Sequence, residues 1–187
     1  MELNLNEFAK EVHANSDRHG WWETKRSYGE LTALFHSELS EALEEYRAGR
    51  PNVWHAEGTN KPEGIAVELI DVAIRILDYF GAVNAHMNSA ETITDLIKAL
   101  PQEVRDDMID WPFPDLVAFM HSEITHAYDD QENQEMTGHH LMVVMAIAFY
   151  WIRLQAEDPE AILIEKHEYN KTRSYKHGRS EAHTSEL

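Results

Sequence analysis

The chain has 187 residues, and its 34 Asp and Glu against 16 Lys and Arg give a formal net charge of -18. That balance speaks against a nucleic-acid partner, which needs basic patches that release counterions, but not against a small phosphorylated substrate held through divalent cations. There is no cysteine, which excludes disulfides, thiolate metal sites and cysteine nucleophiles, and no apolar run reaches the ~18 residues of a membrane span. With an N-terminus unlike a signal peptide, the sequence reads as a cytoplasmic protein without a membrane partner.

Hydrophobic periodicity is helical along nearly the whole chain. Leu3, Leu5, Phe8, Ala9 and Val12 mark an amphipathic helix over 1–16, broken at Gly20. A second helix is predicted over 27–48, with Ser27 and Glu30 at capping-box spacing and Gly49 as its stop. A polar loop over 50–61 leads to Pro62, a favourable first helical residue, and then to a strongly apolar helix over 63–83. Helices are expected next over 90–100, 115–130 and 139–155, with Trp111-Pro112-Phe113-Pro114 as punctuation and His139-His140 marking a helix start. The twelve histidines show no coherent ligand spacing. Pro159 opens a last helix towards Tyr169. Six or seven helices with short links define an all-α bundle with a four-helix core.

The run Phe35-His36-Ser37-Glu38-Leu39-Ser40-Glu41-Ala42 is echoed by Met120-His121-Ser122-Glu123-Ile124-Thr125-His126-Ala127. Ile74-Arg75-Ile76 is loosely echoed by Ile152-Arg153-Leu154, which suggests a pseudo-duplicated helix pair. The expected organisation is one domain over 1–178, with an acidic helix pair over 27–85 and a degenerate second pair over 113–156. Residues 179–187 lack any hydrophobic period and read as a disordered or non-native tail.

On a helical wheel Glu38 falls inside the apolar stripe of Leu31, Phe35, Leu39, Ala42 and Tyr46, and Glu41 lies at its edge. Glu68, Asp71, Arg75 and Asp78 share the narrow polar arc of the next helix, with Glu68 and Asp71 one turn apart. Two facing helices would bring four carboxylates together, with few nearby bases, and such a group stays ionised only around a cation. Hard oxygen ligands point to Mg²⁺ or Mn²⁺. Solvated helix faces would show the same spacing, so spacing alone goes no further.

Glu38-x-x-Glu41 followed by Glu68-x-x-Asp71 resembles the paired acidic motifs of the MazG-type, all-α nucleoside triphosphate pyrophosphohydrolases. The surrounding 36–42 and 61–78 segments, Gly20-Trp21-Trp22, and the terminal Glu168-Tyr169-Asn170-Lys171-Thr172-Arg173 and Lys176-His177-Gly178 are similar to the MazG-like branch. The resemblance implies hydrolysis of a (deoxy)nucleoside triphosphate to the monophosphate and pyrophosphate. Mg²⁺ would be held by Glu38, Glu41, Glu68 and Asp71, with Glu38 or Glu41 accepting a proton from water. It also implies a homo-oligomer, and the degenerate second half favours a dimer. Asn170, Lys171 and Arg173 are expected to grip the phosphates, Lys61 to assist, and Trp22 to stack on a base. In the second half His126 replaces Glu41, and Ala146 and Phe149 replace Glu68 and Asp71, so that half reads as scaffold. Two rivals differ in class. A nucleotide-sensing or assembly module would keep the fold without turnover. A di-iron carboxylate bundle would need two Glu-x-x-His motifs, of which only Glu123-x-x-His126 occurs.

Overall fold

The computed structural model describes residues 2–88 and 90–178. The segment 179–187, read above as a tail, lies outside the described residues. Eight helices follow in order: α1 (Leu5–Arg18), α2 (Tyr28–Arg47), α3 (Ile65–Ala82), α4 (Ile93–Ala99), α5 (Gln102–Asp107), α6 (Phe113–Asp129), α7 (Gln134–Leu154) and α8 (Pro159–Lys171). A small antiparallel hairpin, β1 (Trp54–His55) and β2 (Pro62–Glu63), lies between α2 and α3, and a 3-10 turn over Tyr175–Gly178 closes the described chain. Among the described residues no helix is long and apolar enough to cross a membrane.

Side-chain caps fix most of the helix starts. Asn4, Ser27, Thr92, Asn133 and Asp158 each accept a backbone N–H from the first turn of the helix that follows. The core is built on α3, whose Ala66, Val67, Leu69, Ile70, Val72, Ala73, Ile76 and Leu77 are completely buried. A helix so apolar around its girth must be covered on most sides, and α1, α2, α7 and α8 all pack against it. Helix α6 joins α2 to α7 and completes a four-helix core of α2, α3, α6 and α7. His36 and His121, matched in the internal similarity, meet where α2 packs on α6. Their Nδ1 atoms are 2.7 Å apart and their rings stack at 5.0 Å.

Three local expectations change. Pro62 is in β2 and does not open a helix; α3 begins at Ile65, behind Gly64. Gly64 has φ +117, and the N–H groups of Ile65 and Ala66 reach the carbonyls of Pro51 and Asn52 (3.4 and 3.0 Å), so loop pairing prevails over the proline signal. Helix α7 starts five residues earlier than its histidines suggested, because Asn133 caps it and Gly138 is carried inside. Helix α5, a short turn after Pro101, was not anticipated.

Candidate functional site

Consecutive helices α2 and α3 present the acidic residues. Glu38 and Glu41 are one turn apart on α2, as Glu68 and Asp71 are on α3. One carboxylate oxygen from each of Glu38, Glu41 and Glu68 lies within 4.8 Å of the other two. Glu68 is only 5% exposed and the Glu38 side chain 12%, while Glu41 stands exposed on the rim.

The expected ring of four acids with few nearby bases is corrected on both counts. Three acids converge, and Asp71 gives Oδ2 to the ammonium of Lys166 at 2.7 Å. Lys166 comes from α8, is 1% exposed, and also donates to the Pro62 carbonyl at 3.2 Å. Glu38 is held by Arg75, whose Nε and Nη2 donate to Oε1 at 2.9 and 2.8 Å. The reason is geometric: the polar arc of α3 carries Arg75 one turn beyond Asp71, and α8 lays its buried stripe of Ile162, Leu163, Lys166 and His167 towards the same helix. Burial, with the charge of Asp71 next to it, pushes the Glu68 carboxyl up to about 8. Burial also raises Glu38, against the pull of Arg75.

These side chains line a cavity of about 430 Å3. Of the residues expected around a substrate, Lys61, Asn170 and Arg173 line it as well. Lys171 and Trp22 do not. Lys171 is turned about 100° around α8 from Asn170 and ties Glu11 to Glu168, with both contacts at 2.6 Å. Trp22 points its indole N–H at the buried carboxylate of Asp78 (2.9 Å), which also accepts from Ser16 Oγ and faces His13 Nδ1. Asp78 needs these donors, since burial raises its pKa. The neighbouring Trp21 lines the cavity instead.

Sequence reasoning missed Lys166 and Arg26. The Arg26 guanidinium, its side chain 7% exposed, lies 5.3 and 5.7 Å from the Trp21 and Trp22 rings and 3.4 Å from Glu30. It too lines the cavity. Lys61 is drawn towards Glu63 at 2.7 Å; burial disfavours its charge, but Glu63 together with the charges of Glu68 and Asp71 more than offsets that and its pKa rises. Asn170 Oδ1 is buried without a hydrogen-bond partner among the described residues. A buried acceptor left unmatched is costly, so this one suits a donor supplied by a ligand.

Three clustered carboxylates, two of them pushed towards the neutral form, fit a hard divalent cation: the donors are all oxygen, and a cation would relieve their mutual repulsion. Fold and site together define an all-α bundle with a carboxylate cluster in a cavity that also carries basic side chains. The chain matches no family model, no curated protein and no solved structure.

Proposed function

We propose that the chain hydrolyses a (deoxy)nucleoside triphosphate to the monophosphate and pyrophosphate, with Mg²⁺ or Mn²⁺ as cofactor. What supports this reading most is the meeting of Glu38, Glu41 and Glu68 in a cavity that also carries Arg26, Lys61, Lys166 and Arg173. A triphosphate is a polyanion that needs both: carboxylates to hold metal, and cations to hold the phosphates that the metal leaves unneutralised. Bound Mg²⁺ supplies charge neutralisation and a more acidic water, and Glu38, Glu41 and Glu68 are the residues that would hold it.

The chain's own groups have separable tasks. Asp71, locked to Lys166, positions that ammonium at the cavity wall. Arg75 fixes the orientation of Glu38 through Oε1, which would suit Glu38 to accept a proton from water when Glu41 and Glu68 hold the metal. Arg173 offers a planar fork for phosphate oxygens and Asn170 an acceptor for a ligand donor. Trp21 provides an aromatic face in the same cavity.

The test is a panel of canonical NTPs and dNTPs with Mg²⁺, with the products resolved by anion-exchange chromatography. Monophosphate and pyrophosphate are expected, and Glu41→Gln, which removes the charge of a metal ligand, should cut turnover by about 100-fold or more, the scale of losing one preorganised electrostatic contact at a reacting centre. Diphosphate with inorganic phosphate, or binding without turnover, overturns the reading.

A further inference from the structure

The second helix pair carries a cluster of different chemistry. Glu123 and His126 are one turn apart on α6, and His140 reaches them from α7. One ligand atom from each lies within 4.8 Å of the other two. The Glu123 carboxylate stands 2.8 Å from His140 Nδ1 and 3.7 Å from His126 Nδ1. His140 Nε2 faces Asp130 Oδ2 at 3.3 Å. The fold brings together three side chains in which the sequence showed no ligand spacing. The match was hidden because His140 is on another helix, inside α7 and not at its start.

We propose that Glu123, His126 and His140 form a site for a divalent transition metal of the Zn²⁺ class. The donor set is one carboxylate oxygen and two imidazoles, which suits such ions and not Mg²⁺. Ligands about 2.1 Å from a tetrahedral ion are separated by about 3.4 Å. One ligand atom from each of the three lies within 4.8 Å of the other two, and the two oxygens of Glu123 face one histidine each (Oε2 at 2.8 Å from His140 Nδ1, Oε1 at 3.7 Å from His126 Nδ1), so side-chain rotation has to draw the three atoms in to admit the ion. Asp130 completes the pattern. Its carboxylate stands 3.3 Å from His140 Nε2, where it favours a proton on that nitrogen and so a tautomer whose Nδ1, now hydrogen-bonded to Glu123, would turn to a metal, the usual carboxylate–histidine support.

Two further observations favour a site over a plain ion-pair network. In the internal similarity Glu123 and His126 occupy the positions of Glu38 and Glu41, so this trio sits where the first half places its own acid pair. Glu123 and His140 also line a second cavity of about 1020 Å3, walled by Phe80, Met87, Leu96, Phe119 and Val143. With two of the three ligands on the cavity wall and His126 exposed, a fourth position is left for water or a small donor, the arrangement of an open rather than a closed zinc site.

Co²⁺ is the probe, because its visible absorption separates a low-coordinate nitrogen–oxygen site from a six-coordinate oxygen site. The full chain, stripped of metal, is titrated with Co²⁺ in excess Mg²⁺ so that the acidic cluster is occupied. One equivalent should give an intense low-coordinate band, kept in Glu41→Gln and lost in His126→Ala and in His140→Gln. Asp130→Asn should weaken Co²⁺ binding by about 10- to 100-fold while keeping the band. His126 is exposed (side chain 53%), so its replacement leaves the core intact, and circular dichroism verifies the fold. Only weak six-coordinate absorption in the unaltered chain, or a band indifferent to both histidine changes, overturns the proposal. Neither outcome bears on triphosphate hydrolysis.

Discussion

Glu68 is the carboxylate through which the proposed cation site would be tied to stability. Its pKa in the metal-free fold stands near 8 against an ordinary 4.5, because burial and neighbouring acids disfavour its charge. A raised folded pKa contributes stability that is fully present below pH 4.5 and is lost as pH rises through about 8. In chelator, the melting temperature should therefore fall between pH 5 and 8, and Mg²⁺ should restore more of it at pH 8 than at pH 5. Glu68→Gln should flatten the metal-free decline and weaken the response to Mg²⁺. A melting temperature independent of both pH and Mg²⁺ across that range refutes the coupling. At this scale the sequence was legible where a helical wheel puts a charge inside an apolar stripe, as it does for Glu38. It was silent on Lys166, since a lysine three residues after Leu163 resembles an ordinary solvated position until α8 is docked. The pattern Ile162, Leu163, Lys166, His167 was the available signal.

Single helices were legible because they are long and periodic; their starts were not, because a start is decided by what the adjoining loop bonds to. Gly64 is the clearest case. Sequence favoured Pro62 as the opening of α3, but the β1–β2 hairpin takes that proline and leaves the turn to a glycine at φ +117. A Cβ at Gly64 would lie 2.6 Å from the carbonyl oxygens of both Pro51 and Asn52. Those carbonyls, backbone atoms bonded to the first turn of α3, cannot yield without shifting the helix that carries Glu68 and Asp71. Gly64→Ala should thus cost at least about 2 kcal/mol, combining a strained left-handed backbone with a steric clash. Urea denaturation measures the cost, and Mg²⁺ titration of the folded variant should show weakened binding. An alanine variant equal to the parent in both would mean that this turn does not position α3.

Across the whole molecule, the acidic cluster and the basic end segment are brought together by a return of the chain that no local pattern specifies. Past α8 the chain folds back on α1: His19 Nε2 lies 2.8 Å from the Arg173 carbonyl, the Lys176 N–H donates to the His19 carbonyl at 3.0 Å, and the Tyr175 hydroxyl bonds Glu23. Gly20 makes room for this, since a Cβ there would run into the Tyr175 ring. Arg173 is thereby held at the cavity by its own backbone, while Lys171 is spent on Glu11 and Glu168. The two residues, equal in the sequence, should therefore behave differently. A chain ending at Tyr169 should raise the KM for a triphosphate by about tenfold or more, about 1.4 kcal/mol of binding. Arg173→Lys should reproduce much of that loss, since an ammonium cannot make the two-pronged contact of a guanidinium. Lys171→Ala should leave KM within about twofold, because its exposed ion pairs contribute little. Steady-state kinetics on the three variants separates these cases. Equal KM values for the full chain and the chain ending at Tyr169 would reduce the returning segment to a structural strap, and a Lys171 effect exceeding that of Arg173 would reverse the assignment of the phosphate contact.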